Sequence, residues 1–273
     1  MRMRLTWVSR LIGGLVLAGA VATGVGQGEK AMAADAEPAF EVATIKPDPS
    51  GYPGMLGLGF RGRTFAARNV SLVDMIAFAY AVHPKQVLVG AQKWAATDRY
   101  DIAGVPDKEG VPNIPQQRMM IQKLLTERFK LELRSDKQEM QAFVITVAKD
   151  GSKLTPTKLE GLNPVSTMKP SADGWILSTE NASTKVLAGF LQLAILDRPV
   201  VDKTGLTGRY DIALEFTPDS SQFNGHPPPA RQTESPAPGL FDAIQQQLGL
   251  KLSSDKALVD VWTVEKAEKP SEN

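Results

Sequence analysis

No cysteine occurs anywhere in the 273 residues. That absence removes thiolate chemistry as a whole: zinc fingers, iron–sulfur clusters, cysteine nucleophiles and lipid-modified N-terminal cysteines all need the sulfur. Histidine is nearly as scarce. His83 and His226 are the only two, and with no partnering carboxylates at ligand spacing they argue against a metal site. Aromatic residues make up 7% of the chain, and 31 basic side chains nearly balance 30 acidic ones. The formal charge of +1 gives no electrostatic case for nucleic acid. Beyond the N-terminal stretch, polar or charged residues interrupt every apolar run before it could span a bilayer. What remains is a chain long enough to bury a large core without disulfides or a structural metal.

The N-terminus reads as a secretory leader. Arg2, Arg4 and Arg10 form a positive region, Leu11 to Val25 is apolar and small, and Ala31-Met32-Ala33 supplies a small-x-small cleavage pattern with Ala33 as its last residue. The apolar segment is rich in glycine and alanine and shorter than the roughly 20 strongly apolar residues that a spanning helix needs. The expected mature protein is therefore periplasmic or secreted and not membrane-spanning after cleavage. Loss of residues 1–33 removes four basic residues and one acid, leaving a small negative charge that steers nothing.

The body of the chain repeats itself. Asn69-Val70-Ser71 before an apolar helix returns as Asn181-Ala182-Ser183 before another, and Arg99-Tyr100-Asp101-Ile102-Ala103 returns letter for letter as Arg209-Tyr210-Asp211-Ile212-Ala213. Leu131 to Lys137 is echoed by Leu250 to Lys256, and Thr146 to Lys149 by Thr263 to Lys266. Four matches in one order imply a tandem duplication of a unit of about 110 residues, the size of one small domain.

Each unit has a local physical logic. Ser71 is a good N-cap with Asp74 three residues on, and Met75, Phe78, Ala79 and Val82 share a helical face. Ser183 precedes Leu187, Phe190, Leu191 and Ala194 in the same way. Gln86 to Val89 and Pro199 to Val201 read as short strands, each followed by the Arg-Tyr-Asp-Ile-Ala strand. A second helix follows, with Met120, Leu124 and Leu125 in one unit and Leu240, Phe241, Ile244 and Leu248 in the other. A Leu-x-Leu strand and a closing strand end each unit. Phe40 to Lys46, Thr64 to Ala67 and Trp175 to Thr179 are further strand candidates. The expected class is α+β, ordered helix, strand, strand, helix, strand, strand, with helices packed on mixed or antiparallel sheets. The expected divisions are a signal peptide over 1–33, a first repeat over 34–150, a linker over 151–173 and a second repeat over 174–273. The second repeat carries a proline-rich surface loop at 218–239.

Phe40 to Pro47, Arg198 to Asp211 and the ending Ala267 to Asn273 resemble a soil-associated family of secreted proteins, abundant in acidobacterial genomes and known as a domain of unknown function. The resemblance spans nearly the whole mature chain and implies no activity that can be carried onto residues. Helix, short strand, strand, helix and strand, with Leu248-Gly249-Leu250 closing the second helix, also looks like the short N-terminal domain of secretins and TonB-dependent receptors. That likeness implies a periplasmic docking module without catalysis.

Ser166-Thr167-Met168-Lys169 and Lys203-Thr204-Gly205 match fragments of penicillin-recognising enzymes, yet Ser166 lies between Pro164 and Pro170, where no helix can hold it beside a neutral lysine. Asp202-Lys203-Thr204-Gly205 matches the aspartyl-phosphate signature of cation pumps without a magnesium or nucleotide site to serve it; a strand entering a glycine turn explains it. The doubled Arg-Tyr-Asp makes Arg99, Tyr100, Arg209 and Tyr210 candidate partner contacts, although strand alternation alone also explains the pattern. The expectation is a non-catalytic interaction module for an envelope protein or peptide, with no cofactor, metal or catalytic residue assigned. The alternatives are a secreted hydrolase or a small-ligand sensor with a site in the cleft between the repeats.

Overall fold

The computed structural model describes residues 30–52, 55, 57–159, 164–225, 227–229, 233 and 235–271. Arg2, Arg4, Arg10 and the apolar stretch of the expected leader, and His226, lie outside the described residues. The first half runs β1 (Phe40–Pro47), β2 (Gly57–Arg61), β3 (Thr64–Val70), α1 (Leu72–Tyr80), β4 (Val87–Leu88), α2 (Trp94–Thr97), β5 (Tyr100–Pro106), α3 (Ile114–Phe129) and β6 (Glu132–Val147). The second runs β7 (Thr155–Pro156), β8 (Val165–Pro170), β9 (Trp175–Ala182), α4 (Thr184–Phe190), β10 (Val200–Asp202), β11 (Tyr210–Phe216), α5 (Leu240–Leu248) and β12 (Leu250–Lys266). The α+β class therefore holds, with three sheets that are mostly antiparallel.

Helix ends follow from their residues. The Ser71 hydroxyl accepts the Asp74 N–H at 3.1 Å, and the Asp74 carboxylate accepts the Ser71 N–H at 2.8 Å, a reciprocal pair that starts α1. Leu72, Met75, Ile76 and Ala79 then bury one face. Asn113 and Gln116 form the same pair at α3, and Ser183 caps α4 through the Val186 N–H. At the end of α5, Gly249 is left-handed with φ 62°, and a Cβ there would collide with the Gly151 carbonyl oxygen. Lys130 takes the corresponding conformation after α3, at φ 49°.

The strand order of one outer sheet, β1-β5-β3-β2, recurs in the other as β7-β11-β9-β8. Between them lies a central sheet, β10-β6-β12-β4, built from both halves. β6 and β12 pair antiparallel, with Leu250 opposite Val147 at one end and Lys266 opposite Glu132 at the other. Each half lends its short strand to the other's long one: β4 runs parallel to β12 and β10 parallel to β6.

Two expectations need correction here. The Leu-x-Leu and closing strands are not separate, because β6 runs unbroken for 16 residues and β12 for 17. The intervening Ser-Asp-Lys stretches contain no glycine or proline to break them. In mid-ribbon they face solvent, with Lys137 3.8 Å from Asp260 and Lys256 3.7 Å from Glu139 across the strands. The 151–173 segment, expected as a linker, carries β7 and β8 and so belongs to an outer sheet.

The cores show why the halves are joined. One gathers Ile45, Phe65, Leu72, Met75, Ile76 and Phe129, and takes Val264 and Trp262 from β12. The other gathers Leu177, Leu191, Phe216, Leu240 and Ile244, and takes Phe143 and Ile145 from β6. Each buried aliphatic or phenyl side chain contributes about 1.5–3 kcal/mol, so each half has part of its stability supplied by the other's long strand.

Candidate functional site

The two Arg-Tyr-Asp segments occupy corresponding places. Tyr100 stands opposite Pro47 and Val70; Tyr210 stands opposite Pro156 and Ala182. The aspartates hold a bend: an Asp101 carboxylate oxygen accepts the Asn69 N–H at 2.9 Å, and Asp211 accepts the Asn181 N–H at 3.0 Å. Both asparagines are left-handed, at φ 51° and 50°, and each bend aims the chain at a helix cap two residues later. Arg99 pairs with Asp74 at 2.8 Å, and Arg209 donates to the Asn181 carbonyl at 2.9 Å.

Tyr100, a candidate partner contact, is a core residue instead. It is 4% exposed, sets its ring edge-on to Phe129 at 5.6 Å, and burial pushes its phenol up to about 12. Tyr210 is partly buried against the second core. The arginines and tyrosines thus serve their own sheets, and the two sets lie on different sheets rather than converging on one site.

The remaining motifs also have structural work. Ser166 and Lys169 lie on β8, with no helix to set the lysine against the serine. Asp202 accepts from the Thr204 N–H and hydroxyl at 2.9 and 2.8 Å and from the Thr184 hydroxyl at 2.6 Å, which fastens its turn to the start of α4. Among the described residues no three of His, Asp and Glu gather as a metal cluster would require.

Where the halves meet, buried amides close the junction. Gln192 donates to the Ala81 carbonyl at 3.0 Å and accepts the Val200 N–H at 3.0 Å; Gln86 donates to the Asp260 carbonyl at 2.6 Å. His83 reaches the Leu196 carbonyl at 3.3 Å, and outside it Lys85 pairs with Asp197 at 3.3 Å. Burial lowers the His83 pKa to about 4, more than the Leu196 carbonyl raises it, so the ring is neutral. Two cavities lie in the first half, away from this junction.

The first cavity, about 290 Å³, lies where β1, an edge strand, runs beside α3. Its walls are Phe40, Glu41, Val42 and Ala43 on the strand and Lys123, Leu124, Glu127 and Arg128 on the helix. Val42, which lines the groove, is 60% exposed and pairs across the β1–β5 ladder with Val105, itself exposed. Lys123 donates to the Glu37 and Pro38 carbonyls at 3.1 and 3.2 Å, and Arg128 to the Ala43 carbonyl at 3.4 Å. The second half is closed at the corresponding edge. β7 pairs only with Tyr210 and Asp211, and the Gln247 amide then grips Glu215, accepting its N–H at 2.9 Å and donating to its carbonyl at 2.7 Å. Pro47 was the one signal of this edge in the sequence, since a proline is tolerated on a strand whose outer side has no ladder to join.

Ala33, the expected end of the leader, lies in an extended strap that Gln116 holds by the Ala33 carbonyl at 2.7 Å. A second cavity, about 470 Å³, flanks this strap beside Arg63 and Glu109.

Residues 73–267 match the model of a family described only as a protein of unknown function. No curated protein and no solved structure matches the chain.

Proposed function

Because the chain belongs to that family of proteins of unknown function (DUF3738), whose span takes in both halves, we infer its role from geometry: a periplasmic or secreted, non-catalytic interaction module that holds an extended segment of an envelope protein or peptide. The observation that carries this reading is the outer position of β1 in its sheet, beside α3 across a groove that Phe40, Val42 and Leu124 line together with charged side chains of both helix and strand. An added strand hydrogen-bonds to an edge through its backbone and places alternate side chains against the groove wall, which is a general mode of peptide recognition. Lys123 and Arg128 on one wall and Glu41 and Glu127 lining the same groove offer charges of both signs to select among partners. At the corresponding edge of the second half the Gln247 amide holds the backbone of Glu215, so the two halves differ there.

Two further elements of the reading come from the sequence. The leader supports export, and the likeness of each half to the short N-terminal domain of secretins and TonB-dependent receptors supports docking. The soil-associated setting implied by the family resemblance accords with an envelope role.

The test is site-specific photo-cross-linking in envelope extract, with the reactive group placed at Val42 and, as control, at Leu258, which is 63% exposed on the central ribbon. A product that forms from Val42 and not from Leu258 is expected. Equal labelling from both positions, or hydrolysis of generic esters, glycosides or peptides by the purified protein, would overturn the reading.

A further inference from the structure

The strap at residues 30–36 sits in a receptor that the rest of the chain provides. Ala31 forms a parallel bridge with Val111: the Met32 N–H donates to the Val111 carbonyl at 2.9 Å, and the Val111 N–H donates to the Lys30 carbonyl at 2.8 Å. Gln116, 3% exposed at the start of α3, donates to the Ala33 carbonyl at 2.7 Å and the Ala36 carbonyl at 3.2 Å. The Met32 side chain is 5% exposed. Gly110, at φ +93°, completes the fit, because a Cβ there would lie 2.6 Å from the Met32 nitrogen. A backbone donor and acceptor on Val111, a side-chain amide, a buried socket for one apolar side chain and a glycine that admits a close-lying chain together define a slot for an extended segment whose central side chain is buried and whose flanking side chains, Ala31 and Ala33, are exposed. Its occupant is Ala31-Met32-Ala33, the same three residues that form the leader's cleavage pattern.

We propose that export empties this slot, and that the mature protein takes there an extended peptide segment of another polypeptide that brings one large apolar side chain to the buried position of Met32. This rests on the secreted reading above and adds a second peptide site to the β1 groove. Hydrolysis of the Ala33–Ala34 peptide bond consumes one water, leaves a carboxylate on Ala33 and an ammonium on Ala34, and releases the segment that fills the socket. Val111 then presents an N–H and a carbonyl without their partners, the socket of Met32 is vacated, and the Gln116 amide retains the Ala36 carbonyl but loses that of Ala33. Buried donors and acceptors left unmatched favour any chain that restores the match. The present occupant specifies what fits: backbone in the extended conformation and a side chain of methionine's size at the centre, with the two neighbours facing solvent. The strap also leads along α3 from Gln116 to Lys123 and into β1, so slot and groove lie on one continuous surface.

The experiment exports the chain with its own leader, reads the mature mass, and titrates the product with acetyl-Lys-Ala-Met-Ala-amide while following the Gly110 and Val111 amide resonances. The expected result is a mass lacking Met32, saturable shifts at Gly110 and Val111, and at least tenfold weaker binding of the peptide carrying Asp in place of Met. A chain produced to begin at Lys30 should not respond, its slot being filled. A mature mass that retains Met32, or a product lacking Met32 whose Val111 resonance is unmoved by millimolar peptide, overturns the proposal. Either failure leaves the Val42 cross-link intact, whereas loss of that cross-link alone overturns the groove and not the slot.

Discussion

Replacing His83 by asparagine should reverse the order of stability of the two proteins between neutral and acid pH. The imidazole is 4% exposed, its Nδ1 accepts the Lys85 N–H at 3.0 Å, and its Nε2 faces the Leu196 carbonyl at 3.3 Å. With Nδ1 occupied as acceptor, the neutral ring carries its proton on Nε2 and donates it across the junction between the halves. Burial holds the folded pKa at about 4, whereas an unfolded histidine titrates near 6.5. Between those values the unfolded chain binds a proton that the folded chain refuses. His83 therefore gives its full stability above about pH 6.5, loses it as the pH falls towards 4, and changes little below. The gap corresponds to about 3 kcal/mol at about 1.4 kcal/mol per pH unit. Asparagine keeps an acceptor at the N-cap and does not titrate, but loses the bond to Leu196 at about 1–2 kcal/mol. Wild type should then be the more stable at pH 7, and the variant the more stable at pH 4, with a crossing between about pH 5 and 6. Urea midpoints of both proteins at pH 7, 6, 5 and 4 measure this, since carboxylates and His226 are common to the pair and cancel in the difference. A difference that stays constant over that range would refute the neutral, buried assignment.

Other perturbations read other parts of the fold. Tyr100→Ala should cost about 3–5 kcal/mol in urea unfolding; a loss below about 1 kcal/mol would return Tyr100 to the surface role that its repeated triplet suggested. Ser71→Ala and Ser183→Ala should each cost about 1 kcal/mol by the same measurement, because each removes a cap acceptor. An unchanged midpoint for either would mean that cap is idle. Gln247→Ala should cost about 1–3 kcal/mol and make the protein self-associate in sedimentation velocity, since it uncovers the Glu215 edge of β11. A variant that stays monomeric with wild-type stability would show that this edge needs no guard.

Local chemistry was legible in the sequence where it acts over a few residues. Ser71 with Asp74, Ser183, and the apolar spacing of Met120, Leu124 and Leu125 specify their helices through contacts within a turn or two. The corresponding places of Tyr100 and Tyr210 were also legible in the letter-for-letter match of their segments, whereas the order of elements was only partly so, since each Leu-x-Leu strand runs on into its closing strand. What was hidden depends on partners far away in the chain. Nothing in Val87-Leu88 says that it pairs with Trp262 and Thr263, and nothing in Ser135-Asp136-Lys137 says that a second such segment lies opposite and keeps the strand running. The β1 groove was invisible for the same reason, since Val42 becomes a border only when α3 packs alongside β1. The reading of Ala31-Met32-Ala33 as a leader end gave no sign that Val111, Gly110 and Gln116 are shaped to hold it.

Groove and slot both presuppose one frame, in which each core is completed by the other half's long strand. Native-state hydrogen exchange tests this most directly. The account predicts that amides at both ends of the central ribbon, Val144 and Ile145 with Leu252 at one and Leu133 with Val264 at the other, open with a common free energy equal to that of global unfolding. Opening of one end at a free energy lower by more than about 2 kcal/mol, with the other end still closed, would contradict it.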